Sequence, residues 1–534
     1  VITERTIINC LIIGAALIIA PFVVSSTLST DFVPAAVFGV LALLAIALFY
    51  IKDDLCIWPL LGSAVIGSLN FLPLPLGATN IFCILLIIYY LTNYIIVRKK
   101  KVKFGKLSLL FPILVVTAIL LYHNHSLKLG VLGGNEEGGK AAILIYLGVV
   151  AYFCGVNVRS PSLRFLSRFP LYFFLLTVLS SIPYVLTTYF PSLAPVLYLV
   201  TSNVDVSAYS AANSGVGGDY EGARESVYGP IGYSLQLYLL CHYPIGTWWR
   251  PNRWWIVPVS LFCVFLSVLS GYRNVLFSYV VMVLVATWCF YSWRTLFLPA
   301  GALLAAVILI ILGNNNMINL HTDRLPIIAQ RSLSFLPGDW DQEALQSARS
   351  SDDFRKNIRD VYLKEYARNS PLIGNGMTIN KSVFDSYDNE LKVTGTKDPD
   401  YTLSKLFIEG KMFHTGWISV YDIVGIIGFA AFLALGGVEI YMAGKLVCTP
   451  VKNQASGLFP IYVWMLADVT TKIISFFVVY GDFRVSFGEL CVYGMVLSQL
   501  SDIQQTSRKV LSTDHRAVEA KFSGLKNQQP FRTY

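Results

Sequence analysis

The stretch Asn80-Ile-Phe-Cys-Ile-Leu-Leu-Ile-Ile-Tyr-Tyr-Leu-Thr-Asn-Tyr-Ile-Ile-Val97, followed at once by Arg98-Lys-Lys-Lys-Val-Lys103 and Lys106, decides how this chain is read. The apolar run carries no charge and is close to the ~20 residues a helix needs to cross a hydrocarbon core. The cations behind it fill a short connection, and the next apolar run, 107–123, begins directly after them. Apolar run, cationic turn, apolar run is the pattern of two membrane spans joined on the positively charged side.

The rest of the 534 residues repeats that pattern. Hydrophobic residues make up 55% and charged residues only 14%, against about a quarter charged in an ordinary soluble domain. The mean hydropathy is +0.59. These values exclude a soluble enzyme, a disordered scaffold and a nucleic-acid-binding domain. They predict an all-α polytopic membrane protein. Fourteen segments qualify as spans or come close: 7–25, 32–51, 55–72, 76–97, 107–123, 141–158, 169–190, 228–247, 253–270, 273–291, 294–313, 414–441, 458–480 and 484–500. The shortest can be re-entrant, so the expectation is about 12–14 transmembrane helices. The first run reads as a retained helix, because no small-x-small cleavage site follows it. The chain then divides into spans 1–11 over 1–313, a large loop over 314–413, spans 12–14 over 414–500, and a basic tail over 501–534.

Charge fixes direction. Besides the 98–106 cluster, Arg159, Arg164 and Arg168, then Arg250 and Arg253, Arg294, Lys445 and Lys452, and the tail cations from Arg508 to Arg532 all fall at one parity of the 14-span count. By the positive-inside rule that side is cytoplasmic, with both termini on it. The formal charge of +9 therefore has a position. The 314–413 loop holds 13 Lys and Arg against 14 Asp and Glu, so the excess cations lie elsewhere. Nine cysteines occur without a CxxC pair, which indicates neither a zinc site nor a disulfide framework. No inverted repeat of the transporter kind is evident.

Loop 314–413 reads as a partly helical extracytoplasmic domain. Between Ser350 and Asn369, the residues Phe354, Ile358, Val361, Tyr362 and Tyr366 recur at helical spacing, with Ser351 or Asp352 available as cap. Arg355 and Arg359 share a face. Pro371-Leu-Ile-Gly-Asn-Gly-Met377 is a glycine-bearing turn, and Tyr401 to Phe413 leads into the next span.

Several residues can carry chemistry there, each with a plain alternative. His414, at the outer end of span 12, can act as a general base toward a hydroxyl or simply bond locally as a helix-end histidine. Arg273 opens span 10 near hydrocarbon, where an arginine costs up to roughly 2.5–3.5 kcal/mol without a partner; it binds a ligand or snorkels to headgroups. Arg224, in Asp219-Tyr-Glu-Gly-Ala-Arg-Glu-Ser-Val-Tyr228, can grip a phosphate with its planar fork or pair with Glu221 and Glu225. Arg331 and Arg359 admit the same two readings. All of these except Arg331 are placed together on the outer face, where clustered arginines stabilise a developing diphosphate without a metal. The Asp-x-Asp strings Asp339/Asp341 and Asp398/Asp400 match a metal motif by only two letters. Asp468 and Lys472, four apart in span 13, read as neutralising each other, with an ion pathway as the alternative. Asp482 and Arg484 can border the same space, and Gly425 and Gly428 read as a close helix-packing surface.

The order and side of four of these features resemble the O-antigen ligase and O-antigen polymerase superfamily of bacterial membrane glycosyltransferases. They are Arg224 with Tyr228 and Pro230; Ser270-Gly-Tyr-Arg273 opening a span; Arg359 followed by Pro371-Leu-Ile-Gly-Asn-Gly376; and His414 with Gly425-Ile-Ile-Gly428. The departures are Thr415 where the family often has asparagine and a larger number of spans. The resemblance implies transfer of a glycan from a polyprenyl-diphosphate carrier to a hydroxyl of another glycan or of lipid A core. The setting would be the periplasmic face of the bacterial inner membrane, among membrane lipids, with no nucleic acid, cofactor or metal involved and with inversion at the anomeric carbon. It also implies His414, Arg273 and Arg224 as catalytic residues and Arg359, Arg331 and Tyr228 as substrate-binding ones. Competing readings are a lipid-linked glycan flippase or other transporter built on Asp468 and Lys472, a metal-dependent transferase using Asp31, and a structural subunit of an export complex.

Overall fold

A computed structural model describes residues 54–65, 68–69, 76–92, 103–123, 136–137, 139–190, 192, 197, 227–290, 325–336, 339–380, 399–413, 415–448 and 457–526. Among the described residues the fold is all-helical apart from two antiparallel pairs of two residues each. In chain order the helices are α1 (Trp58–Gly62), α2 (Ala78–Tyr90), α3 (Leu107–His123), α4 (Gly139–Asn157), α5 (Leu163–Tyr189), α6 (Tyr228–His242), α7 (Ile256–Leu269) and α8 (Arg273–Phe290). Then come α9 (Ile327–Leu333), α10 (Gln342–Val361), α11 (Pro399–Glu409), α12 (Gly416–Cys448), α13 (Phe459–Val478) and α14 (Phe483–Lys526). Among the described residues four helices are long and apolar enough to cross a membrane: α5, α8, α12 and α13. Four shorter apolar helices accompany them, α2, α3, α7 and much of α4.

The bundle is apolar inside and outside, as a body solvated by lipid must be. Its centre is Trp464 of α13, fully buried between Phe169 and Phe173 of α5, with ring centroids 4.7 and 4.8 Å away, and stacked on Tyr493 of α14. Its periphery exposes Leu175, Leu179 and Ile182 of α5, Leu261, Phe262 and Phe265 of α7, and Ile426, Ile427 and Leu433 of α12. In water such a continuous apolar surface would drive aggregation or partner binding. Pro112 in α3 and Pro170 and Pro183 in α5 sit inside helices, which packing against neighbouring helices permits in membrane bundles.

The ends of the helices sort into two sets. At one end, Asn157 bonds both backbone groups of Lys103, Ser160 bonds Gln499 at 2.7 Å, the backbone N–H of Ser162 donates to Asp54, and Lys106 pairs with Asp502 at 3.4 Å. This is the end that gathers two of the basic connections. At the other end, the described residues among 325–413 meet the termini of α3, α8, α12 and α13. Strand Glu136–Glu137 pairs with Ile379–Asn380 on the same side. The parity read from charge alone puts these ends in the same two groups.

Four expectations change. Segment 55–72 is not one span: a 3₁₀ turn and the five-residue α1 are followed by strand Ser68–Leu69, paired to Leu76–Gly77. The loop helix begins at Gln342, not near Ser350, because the Asp341 carboxylate caps it by accepting the Glu343 N–H at 2.8 Å; Ser351 and Asp352 lie within it. The helix predicted over 484–500 runs on as α14 to Lys526 with no break at the proposed start of the tail. Gly425 does not pack helices together but breaks α12, with φ +64°. Segments 7–25, 32–51 and 294–313 lie outside the described residues.

Candidate functional site

The break in α12 organises the loop side of the bundle. At Gly425 the helix leaves backbone groups without intrahelical partners, and the turn 371–376 supplies them. Asn375 and Gly376 donate their N–H groups to the carbonyls of Asp422 and Ile423, at 2.6 and 3.0 Å. Ile426 and Ile427 donate theirs to the carbonyls of Pro371 and Leu372, at 2.9 and 3.1 Å. The turn is thus threaded into the helix. A Cβ on Gly374 would lie 2.5 Å from the Ile423 carbonyl carbon, and one on Gly425 would lie 2.4 Å from the Ile373 nitrogen. Only glycine fits at either place. Asp422, buried, is held by Lys411 at 2.5 Å, by the Asn375 amide at 2.8 Å and by the Tyr362 hydroxyl at 3.4 Å. The His123 ring bonds the Ile373 carbonyl at 2.9 Å. This network fixes the loop helices over the ends of the bundle.

Two spaces lie beneath them. The first is a groove of about 360 Å³ between α10 and the ends of α12 and α13, lined by Asp352, Arg355, Lys356, Arg359, Thr415, Trp417 and residues 477–479. Arg355 and Arg359 share this face, as their four-residue spacing requires. Three cations thus line the groove with one carboxylate, Asp352, which is already engaged, and Arg359 also pairs with Asp360 at 3.6 Å. The Arg273 guanidinium donates to both oxygens of Asp352, at 2.7 and 2.9 Å, and to the Ala348 carbonyl at 3.3 Å. The groove is cationic in net charge, and bidentate-capable arginines there suit a phosphoryl group.

The second space is a cavity of about 400 Å³ inside the bundle, between α5, α6, α8, α13 and α14. It starts at Gly229, Pro230 and Asn274, near the loop-side ends of α6 and α8, and reaches Asp468, Lys472 and Glu489. The pairing predicted between Asp468 and Lys472 is not formed. Asp468 accepts hydrogen bonds from Tyr233, at 2.9 Å, and from Tyr493, while Lys472 reaches across to Glu489 of α14 at 3.3 Å and lies 5.1 Å from the Tyr493 ring centroid. Four-residue spacing allowed the first pairing, but α14 offers a better-placed carboxylate. The spaces are neighbours: consecutive residues Phe476 and Phe477 line the cavity and the groove, and Arg273, bound to groove residue Asp352, precedes cavity residue Asn274.

Of the six residues singled out from sequence, Arg273 and Arg359 are brought to this site. Tyr228 opens α6, one residue before the cavity lining. Arg331 lies on α9 and lines neither space; its neighbour Ser332 bonds the Val268 carbonyl at 2.8 Å. Arg224 and His414 lie outside the described residues, although Thr415, next to His414, lines the groove. Asp341 serves as a helix cap and Asp398 is outside the described residues. Among the described residues no three His, Cys, Asp or Glu side chains stand together as a metal ion would require. Asp482 and Arg484 pair with each other at 2.6 Å, and Arg484 borders a smaller space shared with Glu489. Lys356, Asp422, Tyr233 and Glu489 were missed. Asp422 and Glu489 are acids within apolar runs, which is itself a signal of function or pairing.

No protein-family model matches the chain, and no curated protein sequence matches it.

Proposed function

We propose that the protein is a membrane glycosyltransferase that moves a glycan from a polyprenyl-diphosphate carrier to an acceptor hydroxyl, as an O-antigen ligase or polysaccharide polymerase does. The observation that carries this reading is the cationic groove of Arg355, Lys356 and Arg359, coupled through Asp352 to Arg273, over the end of an apolar helical bundle. A lipid-borne diphosphate needs such a place: its tail stays in the bilayer while its phosphates meet guanidinium groups at the bilayer edge.

In this mechanism the acceptor oxygen attacks the anomeric carbon, and the bond from that carbon to the diphosphate oxygen breaks. His414 takes the acceptor proton. Arg273, Arg224 and Arg359 stabilise the charge that collects on the departing polyprenyl diphosphate. Direct displacement inverts the anomeric centre. The acceptor is another glycan or lipid A core, and the setting is the bacterial inner membrane with the 314–413 loop in the periplasm and both termini in the cytoplasm. The buried charges of the cavity favour a second reading, a lipid-linked glycan flippase, which has no use for the groove.

The test is a surface-glycan gel from the source cell comparing wild type, a deletion, and chromosomal His414→Ala and Arg273→Ala at matched protein levels. Intact lipid-linked chains that fail to reach lipid A core indicate a ligase; collapse to single repeat units indicates a polymerase. Wild-type glycan in both point variants, with loss in the deletion, removes the catalytic assignment and favours the flippase.

A further inference from the structure

The groove and the cavity differ in chemistry, and that difference divides a sugar-diphosphate between them. The cavity holds two carboxylates, Asp468 and Glu489, and one ammonium, Lys472. Its formal balance is negative, so a diphosphate meets repulsion there and attraction in the groove. A metal cation fares no better, because the ammonium of Lys472 already lies between Glu489 and the Tyr493 ring. What remains is a neutral ligand rich in hydroxyl groups. A carboxylate offers about four lone-pair sites. Asp468 uses part of its capacity on Tyr233 and Tyr493, and Glu489 accepts from Lys472, which leaves acceptor capacity facing the space. Phe432 and Phe476 give flat apolar walls to the same cavity, and Ser278 and Ser475, bonded to each other at 2.7 Å, add hydroxyls. Apolar walls with a few convergent polar groups, at about 400 Å³, lie within the range of small-molecule sites.

We propose that this cavity seats the sugar ring attached to the diphosphate, with ring hydroxyls donating to Glu489 and Asp468 and the Lys472 ammonium donating to a ring oxygen, while the diphosphate occupies the groove. The inference rests on the glycosyltransferase reading and adds to it a sugar-specificity pocket. Position supports it: the cavity begins beside Arg273, at Asn274, so a ring one bond from the phosphate can enter as the phosphate binds. Asp468, Lys472 and Glu489 are specificity-determining residues here; they act on the ring, not on the bond that breaks.

The experiment uses the full chain in lipid nanodiscs and two probes. Saturation-transfer NMR reports binding of free hexoses and N-acetylhexosamines, and phosphorus line broadening reports binding of inorganic pyrophosphate. Wild type is expected to saturate at least one sugar. Glu489→Gln is expected to weaken that sugar about tenfold or more, the scale of a hydrogen bond to a charged group, and to leave pyrophosphate broadening unchanged. Arg355→Ala with Arg359→Ala is expected to do the reverse. If Glu489→Gln aggregates on size exclusion, Lys472→Met with Glu489→Gln, which removes both charges together, carries the same expectation. Sugar binding absent from wild type, or indifferent to both cavity variants, overturns the proposal. Pyrophosphate binding without sugar binding defeats this inference and spares the transferase reading. Sugar binding lost in the cavity variants, with no pyrophosphate binding at all, upholds the pocket and defeats the diphosphate donor.

Discussion

Lys411 and Asp422 show what one buried pair does in this protein. Asp422 is 1% exposed and the Lys411 side chain 11%. Lys411 holds a left-handed backbone, φ +56°, a conformation that a lysine adopts only when its surroundings fix it. Removing one member leaves the other buried and charged, which costs roughly 3–5 kcal/mol. The bonds from Asn375 and Tyr362 to Asp422 put Lys411→Ala toward the lower part of that range. Its thermal midpoint in detergent is expected to fall clearly, and Lys411→Met with Asp422→Asn, which removes both charges, to recover much of the loss. An unchanged midpoint in Lys411→Ala would show that the pair is incidental. Sequence made Arg273 legible, since a cation opening a span after a very short turn needs a partner, but not that the partner is Asp352. It left Lys411 and Asp422 unnoticed, because their meeting depends on a turn entering a broken helix, and nothing in local spacing records that.

The broken helix sets the expectations for elements. Gly425→Ala combines a positive φ with a clash against the backbone of residues 372 and 373, so the turn 371–376 must withdraw. Limited proteolysis is expected to cut that turn much faster in Gly425→Ala than in wild type. Gly437, also in α12, would offer a new methyl group open space, with no atom within 4 Å. Gly437→Ala is expected to keep wild-type cleavage or slow it slightly, since alanine favours the helix by about 1 kcal/mol. Equal cleavage of both variants would sink the threaded-turn account. The π-helical turn Tyr362–Tyr366, which follows α10, makes a second, pH-dependent contact with α11. Glu365 accepts from the Tyr401 hydroxyl and pairs with Lys405 at 3.0 Å. The Tyr401 hydrogen bond, then Lys405, holds the Glu365 carboxyl below its usual range; Tyr401 and Glu365 hold the Lys405 ammonium above its own. The carboxylate's contribution is present above the unfolded value of about 4.3 and fades as pH falls through its lower folded value. The lysine's is present below about 10.4 and fades as pH rises through its higher folded value. Amide exchange over 399–409, corrected for intrinsic rates, is expected to stay protected between those limits and to speed up below about pH 4, with Glu365→Gln removing the acid limb. A wild-type acid limb that persists in Glu365→Gln would assign it to other carboxylates. The amphipathic face of α10 was visible as spacing; its start was not, because Asp341 caps it well ahead of Ser351 and Asp352, the caps that the apolar repeat suggested.

At the scale of the molecule, charge and geometry bear on the same question from separate directions. The charge pattern assigns each connection to a side by counting spans, and a single miscounted span would invert every later assignment. The helix ends provide a check that needs no count. Lys103, Ser160, Asp54 and Gln499 meet at one end, and His123, Arg273, Thr415 and Val478 meet the 325–413 segment at the other. The 55–72 segment, expected as a span, is broken into short pieces, yet Asp54 before it and the groups it meets still lie on the side its parity gives. Hydropathy reports how apolar a segment is and not whether it crosses, so the length of the helix in 55–72 was not legible in the sequence. The last expectation follows from this sorting. Cys448, exposed at the end of α12, belongs to the basic side, and a cysteine placed at Lys356 in the groove belongs to the loop side. In spheroplasts a membrane-impermeant maleimide is expected to label Lys356→Cys in a Cys448→Ser background and to leave wild-type Cys448 unlabelled. Inverted membrane vesicles are expected to give the opposite result. Labelling of both positions from one side would break the bundle's two-ended arrangement and, with it, the placement of the groove on the side opposite the basic connections.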